Sequence, residues 1–203
     1  MGGLVDLVAR EGDFPISEQV IAKFLALGDE VRFAPKSPVI EYGRIDNSIY
    51  IVKSGILRVV YYEEDKEITY GFATPGTVFF SPHCYYRNQP AVMQFETCRQ
   101  GATCIAVPKS GFEALIAESH EFARWMFDLA MGQFYTCEQK LKYIRGDARK
   151  RIVAVLKYRP EIVEVVSART LASYIGVTES YFCRIRKEMR LAGEDFSVSG
   201  IAK

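Results

Sequence analysis

No run in the sequence approaches the ~20 consecutive apolar residues of a membrane span. The N-terminal stretch MGGLVDLVAREGDF carries acids where a secretory leader carries a basic region and a long apolar core, so a cytoplasmic location is expected. Cysteine is sparse and unpaired: Cys84, Cys98, Cys104, Cys137 and Cys183 form no C-x-x-C pair, and only two histidines are present. That excludes a zinc ribbon or a disulfide framework, predicts no metal, and leaves the cysteines as reduced, mostly buried thiols. Charge of one sign is also lacking, with a net charge of +1. With 49% hydrophobic and 25% charged residues, the chain is not disordered. Repeats and low-complexity tracts are absent. Catalytic equipment is thin too. The pair His83-Cys84 is the one neighbourhood of a base and a thiol, and on a strand adjacent side chains point to opposite faces. No enzyme and no catalytic residue are therefore assigned.

What is present divides the chain. Its 203 residues exceed one small core and suit two domains. From Arg145 to Lys203 there are 12 Lys/Arg against 7 Asp/Glu, a net +5, while Met1 to Ile144 carries −4. A basic C-terminal part suits a phosphate-facing module. SEQVIAKFLAL places Val20, Ile21, Phe24 and Leu25 on one helical face ending at Gly28, a short leading helix. From Glu30 to Val107 the runs SIYIVKSGILRVVYY, KEITYGFAT, PGTVFF, AVMQFET and GATCIAV are short, β-branched and aromatic, which predicts many brief antiparallel strands. Lys53-Ser54-Gly55 reads as a tight hairpin turn and Pro75-Gly76 as another turn. Together they indicate a jelly-roll-like barrel whose inside is expected to have room for a ligand.

Beyond Ser110 the period becomes helical, first in GFEALIA and then in a long helix from near His120. Phe122, Met126, Ala130, Phe134, Cys137, Leu141 and Ile144 recur at spacings of three and four. A seam this long is expected to pair with its own copy in a homodimer; the alternative is packing on the barrel alone. After Gly146 come short helices with a strand expected at EIVEVVS. The implied domains are residues 1–119, 120–145 and 146–203.

Ala168 to Met189 has the pattern of a helix-turn-helix. Ala172 is the small residue where two helices approach, Gly176 supplies the turn, and Leu171, Ile175, Val177, Phe182 and Ile185 take the inward positions. Thr178 stands at the N-cap of the second helix. Burying Phe182, Ile185 and Met189 turns Glu179, Ser180, Cys183, Arg184 and Lys187 outward, toward a DNA major groove. Arg184 is the candidate for bidentate guanine readout. Arg169, Arg186 and Lys187 are candidates for phosphate contacts, and Tyr181 for a sugar or a thymine methyl. Helical hairpins of this pattern also occur in domains that never meet DNA.

The segments SIYIVKSGILRVV, PGTVFF, ARKRIVAVL and LASYIGVTESYFCRIRKEM together resemble the catabolite-activator/FNR (CRP/FNR) superfamily of bacterial regulators. The resemblance runs from about Ser17 to Gly193. It implies an α+β fold: an N-terminal antiparallel β-roll, a long dimerisation helix, and a C-terminal winged helix-turn-helix. It also implies a homodimer on a pseudo-palindromic operator, with half-sites ~34 Å apart, and RNA polymerase as a further partner.

Several departures narrow that implication. Where members that bind cyclic AMP place a Gly-Glu pair for the ribose and an Arg-Ser/Thr pair for the phosphate, this chain has Phe80 and Ser81, and Val92 and Met93. The missing charge-assisted contacts argue against cyclic AMP, leaving the effector unidentified. Arg87 is a candidate displaced anion ligand, or simply an exposed loop arginine. Thr136 and Cys137 match positions that touch the base, and Phe79, Phe80, His83, Tyr85 and Tyr86 could make an aromatic mouth or belong to the core. No cysteine precedes Cys84, so the iron–sulfur sensor type is excluded, and His83 or Cys84 alone is a thin basis for haem. Where the best-known members carry an Arg-Glu-x-x-Gly-Arg reading face, this chain has Glu179, Ser180, Cys183 and Arg184, so a different target sequence is implied. EDFSVSGIAK is expected to give a wing that is short or incomplete. The alternative reading is a ligand-binding regulator with a degenerate DNA domain, acting through protein contacts.

Overall fold

A computed structural model describes residues 3–64, 66–144 and 146–191, without the side chains of residues 143 and 144. The wing expected over 194–203 and the Ile144 seam contact lie outside the described residues. Two short helices open the chain, α1 (Leu4–Ala9) and α2 (Glu18–Leu25). Strands β1 (Asp29–Phe33), β2 (Pro38–Ile40), β3 (Ile49–Ser54), β4 (Leu57–Glu63), β5 (Lys66–Ala73) and β6 (Val78–Phe79) follow. Helix α3 (Pro82–Arg87) precedes β7 (Gln94–Thr97) and β8 (Ala102–Val107). The described elements beyond β8 are helices: α4 (Lys109–Glu118), α5 (His120–Ile144), α6 (Ala148–Tyr158), α7 (Pro160–Val165), α8 (Ala168–Ile175) and α9 (Glu179–Leu191). Among the described residues, no helix is long and apolar enough to cross a membrane.

The strands form two four-stranded antiparallel sheets, ordered β1-β8-β3-β6 and β2-β7-β4-β5, rather than one closed barrel. The continuous apolar run IYIV in β3 follows from burial on both faces. Tyr50 and Val52 enter the core between the sheets, while Ile49 and Ile51 join a second core under α1, α2, α4 and the start of α5. In that second core Phe24, Phe112, Phe122 and Trp125 pack ring to ring, with Phe24 and Phe122 centroids 4.9 Å apart. Ile152, Ile162, Leu171, Phe182 and Ile185 centre a third core in the C-terminal helices.

Four expectations are corrected. Gly55, at φ +87°, is not a hairpin turn: β3 pairs with β6 and β8, β4 pairs with β5 and β7, and the chain crosses between sheets there. A side chain at Gly55 would meet the Gly101 carbonyl at 2.6 Å, so the crossing requires glycine. Among the described residues, core side chains rather than an open chamber occupy the space between the sheets. Phe79 stacks between Tyr50 and Phe95, with centroid distances of 5.4 and 4.7 Å, and the three rings fill the space between the sheets. EIVEVVS is no strand but mostly α7, because Pro160 at the first turn presets helical φ and Ile162, Val163 and Val166 then face the third core. Finally, His83, Cys84 and Arg87 sit on α3, begun by Ser81 and Pro82, not on a strand or loop.

Candidate DNA-reading site and the helix that carries it

Helix α8 starts at Ser167, whose hydroxyl accepts from the Thr170 N–H at 3.1 Å. It stops at Gly176, in the left-handed region at φ 76° and ψ 43°, where a β-branched or bulky residue would be strained. The Val177 N–H returns to the Ala172 carbonyl at 3.0 Å, closing the turn. Thr178 then caps α9 as expected: its hydroxyl accepts from the Tyr181 N–H at 3.3 Å and its carbonyl from the Phe182 N–H at 3.0 Å. Leu171, Ala172, Ile175, Phe182, Ile185 and Met189 are all buried, and each large one contributes roughly 1.5–3 kcal/mol by leaving water. These contacts lock the two helices at one angle.

The opposite face of α9 carries Glu179, Ser180, Cys183, Arg184 and Lys187, all exposed, together with Thr178 at its start. The Arg184 guanidinium lies 5.0 Å from the Tyr181 ring centroid, which steers it along the helix surface. Tyr181 itself is half-buried against the third core, and Arg186 is half-buried, while Arg169 is exposed on α8. A pair from α6 and α9, Arg149 and Glu188, bridges at 2.8 Å behind this face.

Helix α5 divides into two parts. Phe122 and Trp125 are fully buried in the second core, with Met126 packed against it, so the first third of the expected seam belongs to the chain's own fold. Beyond Met126 only Leu129 still packs on the second core, and the other described large apolar residues are exposed: Phe127 at 61%, Met131 at 48%, Phe134 at 61%, Tyr135 at 62% and Leu141 at 70%. Ala130 is exposed as well. Phe127, Met131, Phe134 and Leu141 follow a four-three-seven spacing; Phe134 and Leu141 belong to the seam expected from the sequence, whereas Phe127, Met131 and Tyr135 lie outside it. Cys137 faces the roll instead, its Sγ 3.2 Å from the Tyr70 hydroxyl. Burial first, and that thiol second, push the Tyr70 phenol up to about 12. Next to it the Lys140 ammonium donates to the Tyr70 carbonyl at 2.8 Å and covers its ring. Burial lowers the Lys140 pKa.

Of the residues proposed for an effector, His83, Tyr86 and Arg87 come together and the others lie elsewhere. Pro82, His83, Tyr86 and Arg87 line a cleft of about 470 Å³ on the outside of α3. Ser81 is buried and caps α3 through the Cys84 N–H at 3.3 Å. Phe79 is in the core between the sheets, and Phe80 and Tyr85 pack against the second core, so the aromatic run is split and forms no single mouth. Val92 is exposed, Met93 is half-buried, and the Thr136 hydroxyl bonds back to Gly132 in its own helix at 2.9 Å. His83 and Cys84 part as expected, though from a helix: the imidazole Nδ1 meets the Pro90 carbonyl at 3.1 Å, and the buried thiol faces the Arg44 carbonyl at 3.6 Å. Of the other thiols, burial pushes Cys98 up to about 11 and Cys104 to about 12. Cys137 and Cys183 are exposed, against the expectation of mostly buried cysteines.

A contact that sequence reasoning did not anticipate seats α8 on the roll. The Thr69 N–H of β5 donates to the Ser173 hydroxyl at 3.0 Å, and Phe72 meets Tyr174 edge to face at 5.2 Å. The register of β4 against β5 shifts beside Val59 and Val60, leaving Tyr70 unpaired as a bulge between these contacts.

Two antiparallel sheets, a long helix with a bare apolar stripe and a capped helix-turn-helix make up the chain, and the resemblance read from the sequence is matched by solved structures at the level of the fold. Residues 30–119 match the family model of the cyclic nucleotide-binding domain. Solved structures share the fold across most of the chain. FixK2 from Bradyrhizobium japonicum is 17% identical, covers 82% of this chain and 86% of its own, and superposes with a TM-score of 0.71. The c-di-GMP responsive global regulator CLP of Xanthomonas campestris is 18% identical, with 87% and 93% covered and a TM-score of 0.68. The Thermus thermophilus catabolite activator protein is 15% identical, with 87% and 85% covered and a TM-score of 0.53. No protein of curated function matches the sequence.

Proposed function

We propose that this chain is a sequence-specific DNA-binding transcriptional regulator, cytoplasmic, acting as a homodimer on a pseudo-palindromic operator. One observation carries the reading: α9 buries Phe182, Ile185 and Met189 and leaves Glu179, Ser180, Cys183, Arg184 and Lys187 on a continuous exposed face. A helix held this rigidly can present side chains to base edges in a major groove. Arg184 reads a guanine; Arg169, Arg186 and Lys187 set register on phosphates. The bare stripe Phe127, Met131, Phe134 and Leu141 pairs with a second copy, and the four exposed rings and chains give the dimer its apolar seam. Residues 1–119 form the effector-type unit, 120–145 the dimerisation helix and 146–203 the DNA-binding unit.

The aromatic filling of the roll and the absence of a carboxylate and an arginine at Phe80, Ser81, Val92 and Met93 support an effector other than cyclic AMP, if one acts. Contact with RNA polymerase completes the proposed partners. Selection from random duplexes tests the reading. A pseudo-palindrome should be enriched, and its affinity should fall steeply with salt as counterions are released. Absence of enrichment, with no binding at low salt, would favour a regulator that works through protein contacts.

A further inference from the structure

Helix α5 ends at Ile144 and α6 begins at Ala148, so Gly146 lies in the link between the long helix and the C-terminal helices. Arg151, half-buried on the second turn of α6, reaches three main-chain carbonyls with one guanidinium. Its Nε donates to Ile175 at 3.0 Å, Nη2 to Gly176 at 3.4 Å, and Nη1 to Gly146 at 2.5 Å. Ile175 and Gly176 are the last residue and the C-cap of α8, where carbonyls have no partner inside the helix and a cation is favoured by the helix dipole. Two residues later Thr178 caps α9. The same side chain therefore grips the exit of α5 and the turn that aims α9. A planar fork of five donors can do this, whereas a lysine ammonium on a flexible stem cannot reach carbonyls on both sides at once.

We propose that Arg151 is a positioning residue that fixes the direction of α9 relative to α5, so that a dimer holds its two reading helices at a set separation. The consequence for DNA rests on the function proposed above; the mechanical claim does not. Two measurements on the full-length protein separate them. Hydrogen exchange of the free protein reads the strut directly, since the Gly176 and Val177 amides are protected only while the turn stays closed. Arg151→Lys, which keeps the charge and the aliphatic stem, and Arg151→Ala should both speed exchange there by about 10-fold or more while leaving β8 unchanged. Unchanged exchange in Arg151→Lys overturns the strut.

The second measurement is affinity for the selected duplex across a salt series. Both variants should bind it about 10- to 100-fold more weakly at every salt concentration, with the salt slope and the affinity for random duplexes preserved. A slope reduced by about 1, with equal loss on all sequences, would make Arg151 a phosphate contact and overturn the proposal. If the wild type binds no duplex at all, the DNA reading fails, and the exchange result still decides whether the strut exists.

Discussion

At the scale of single residues, Arg184 and Gly176 make opposite demands. Arg184 is exposed and makes no contribution to the third core, so Arg184→Ala should leave the melting temperature within about a degree or two while relaxing preference at one base position per half-site, a change of ~1–3 kcal/mol in discrimination. Repeating the random-duplex selection with the variant reads this; equal loss on every sequence would reassign Arg184 to a phosphate. Among the described residues nothing lies within 4 Å of the place a Cβ on Gly176 would occupy, so the left-handed backbone is what resists a substitution there. Gly176→Ala should therefore destabilise the chain by about 1–2 kcal/mol without disturbing packing, measurable by denaturant unfolding. Phe122→Ala should cost more, about 3–5 kcal/mol, because it opens a hole between Phe24, Phe112 and Trp125.

At the scale of elements, α5 is held at one end and bare at the other. Phe134→Glu and Leu141→Glu each place a charge on the bare half, where neither side chain supports the monomer fold. Both should abolish the proposed dimer in sedimentation experiments while leaving helix content unchanged; a wild type that sediments as a monomer would rule out the seam. The elements also show what a sequence carries and what it hides. The helix-turn-helix was legible because its spacing, glycine and cap are local, and the long helix because its period persists over 25 residues. The hairpin at Gly55 and the strand at EIVEVVS were misread for one reason: IYIV, ILRVV and EIVEV are apolar runs too short to show which partner buries them. Whether Gly55 turns a strand back or passes it to another sheet is settled by β8, nearly fifty residues away. The aromatic run near α3 was similarly opaque, since Phe79 and Phe80 enter different cores. Arg151 left no signal at all, because the acceptors described for it are backbone carbonyls.

At the scale of the molecule, the C-terminal helices are seated on the roll as well as joined to α5. Removing the edge-to-face ring in Phe72→Ala should loosen that seat, giving about 2- to 10-fold faster hydrogen exchange over Ala168–Ile175 with β8 unaffected. The seat leaves the face of α9 open, so the same arrangement can hold the reading helix and present it. Cys183 lies in that face beside Arg184, while Cys137 lies on α5 against Tyr70; both are exposed. Entry of the exposed face of α9 into DNA is read by the alkylation rate of Cys183 in the presence of the selected duplex. Strong protection of Cys183 is expected, with Cys137 labelled at its free rate and no protection by a scrambled duplex at moderate salt. Equal labelling of Cys183 with and without a saturating amount of the selected duplex would contradict it.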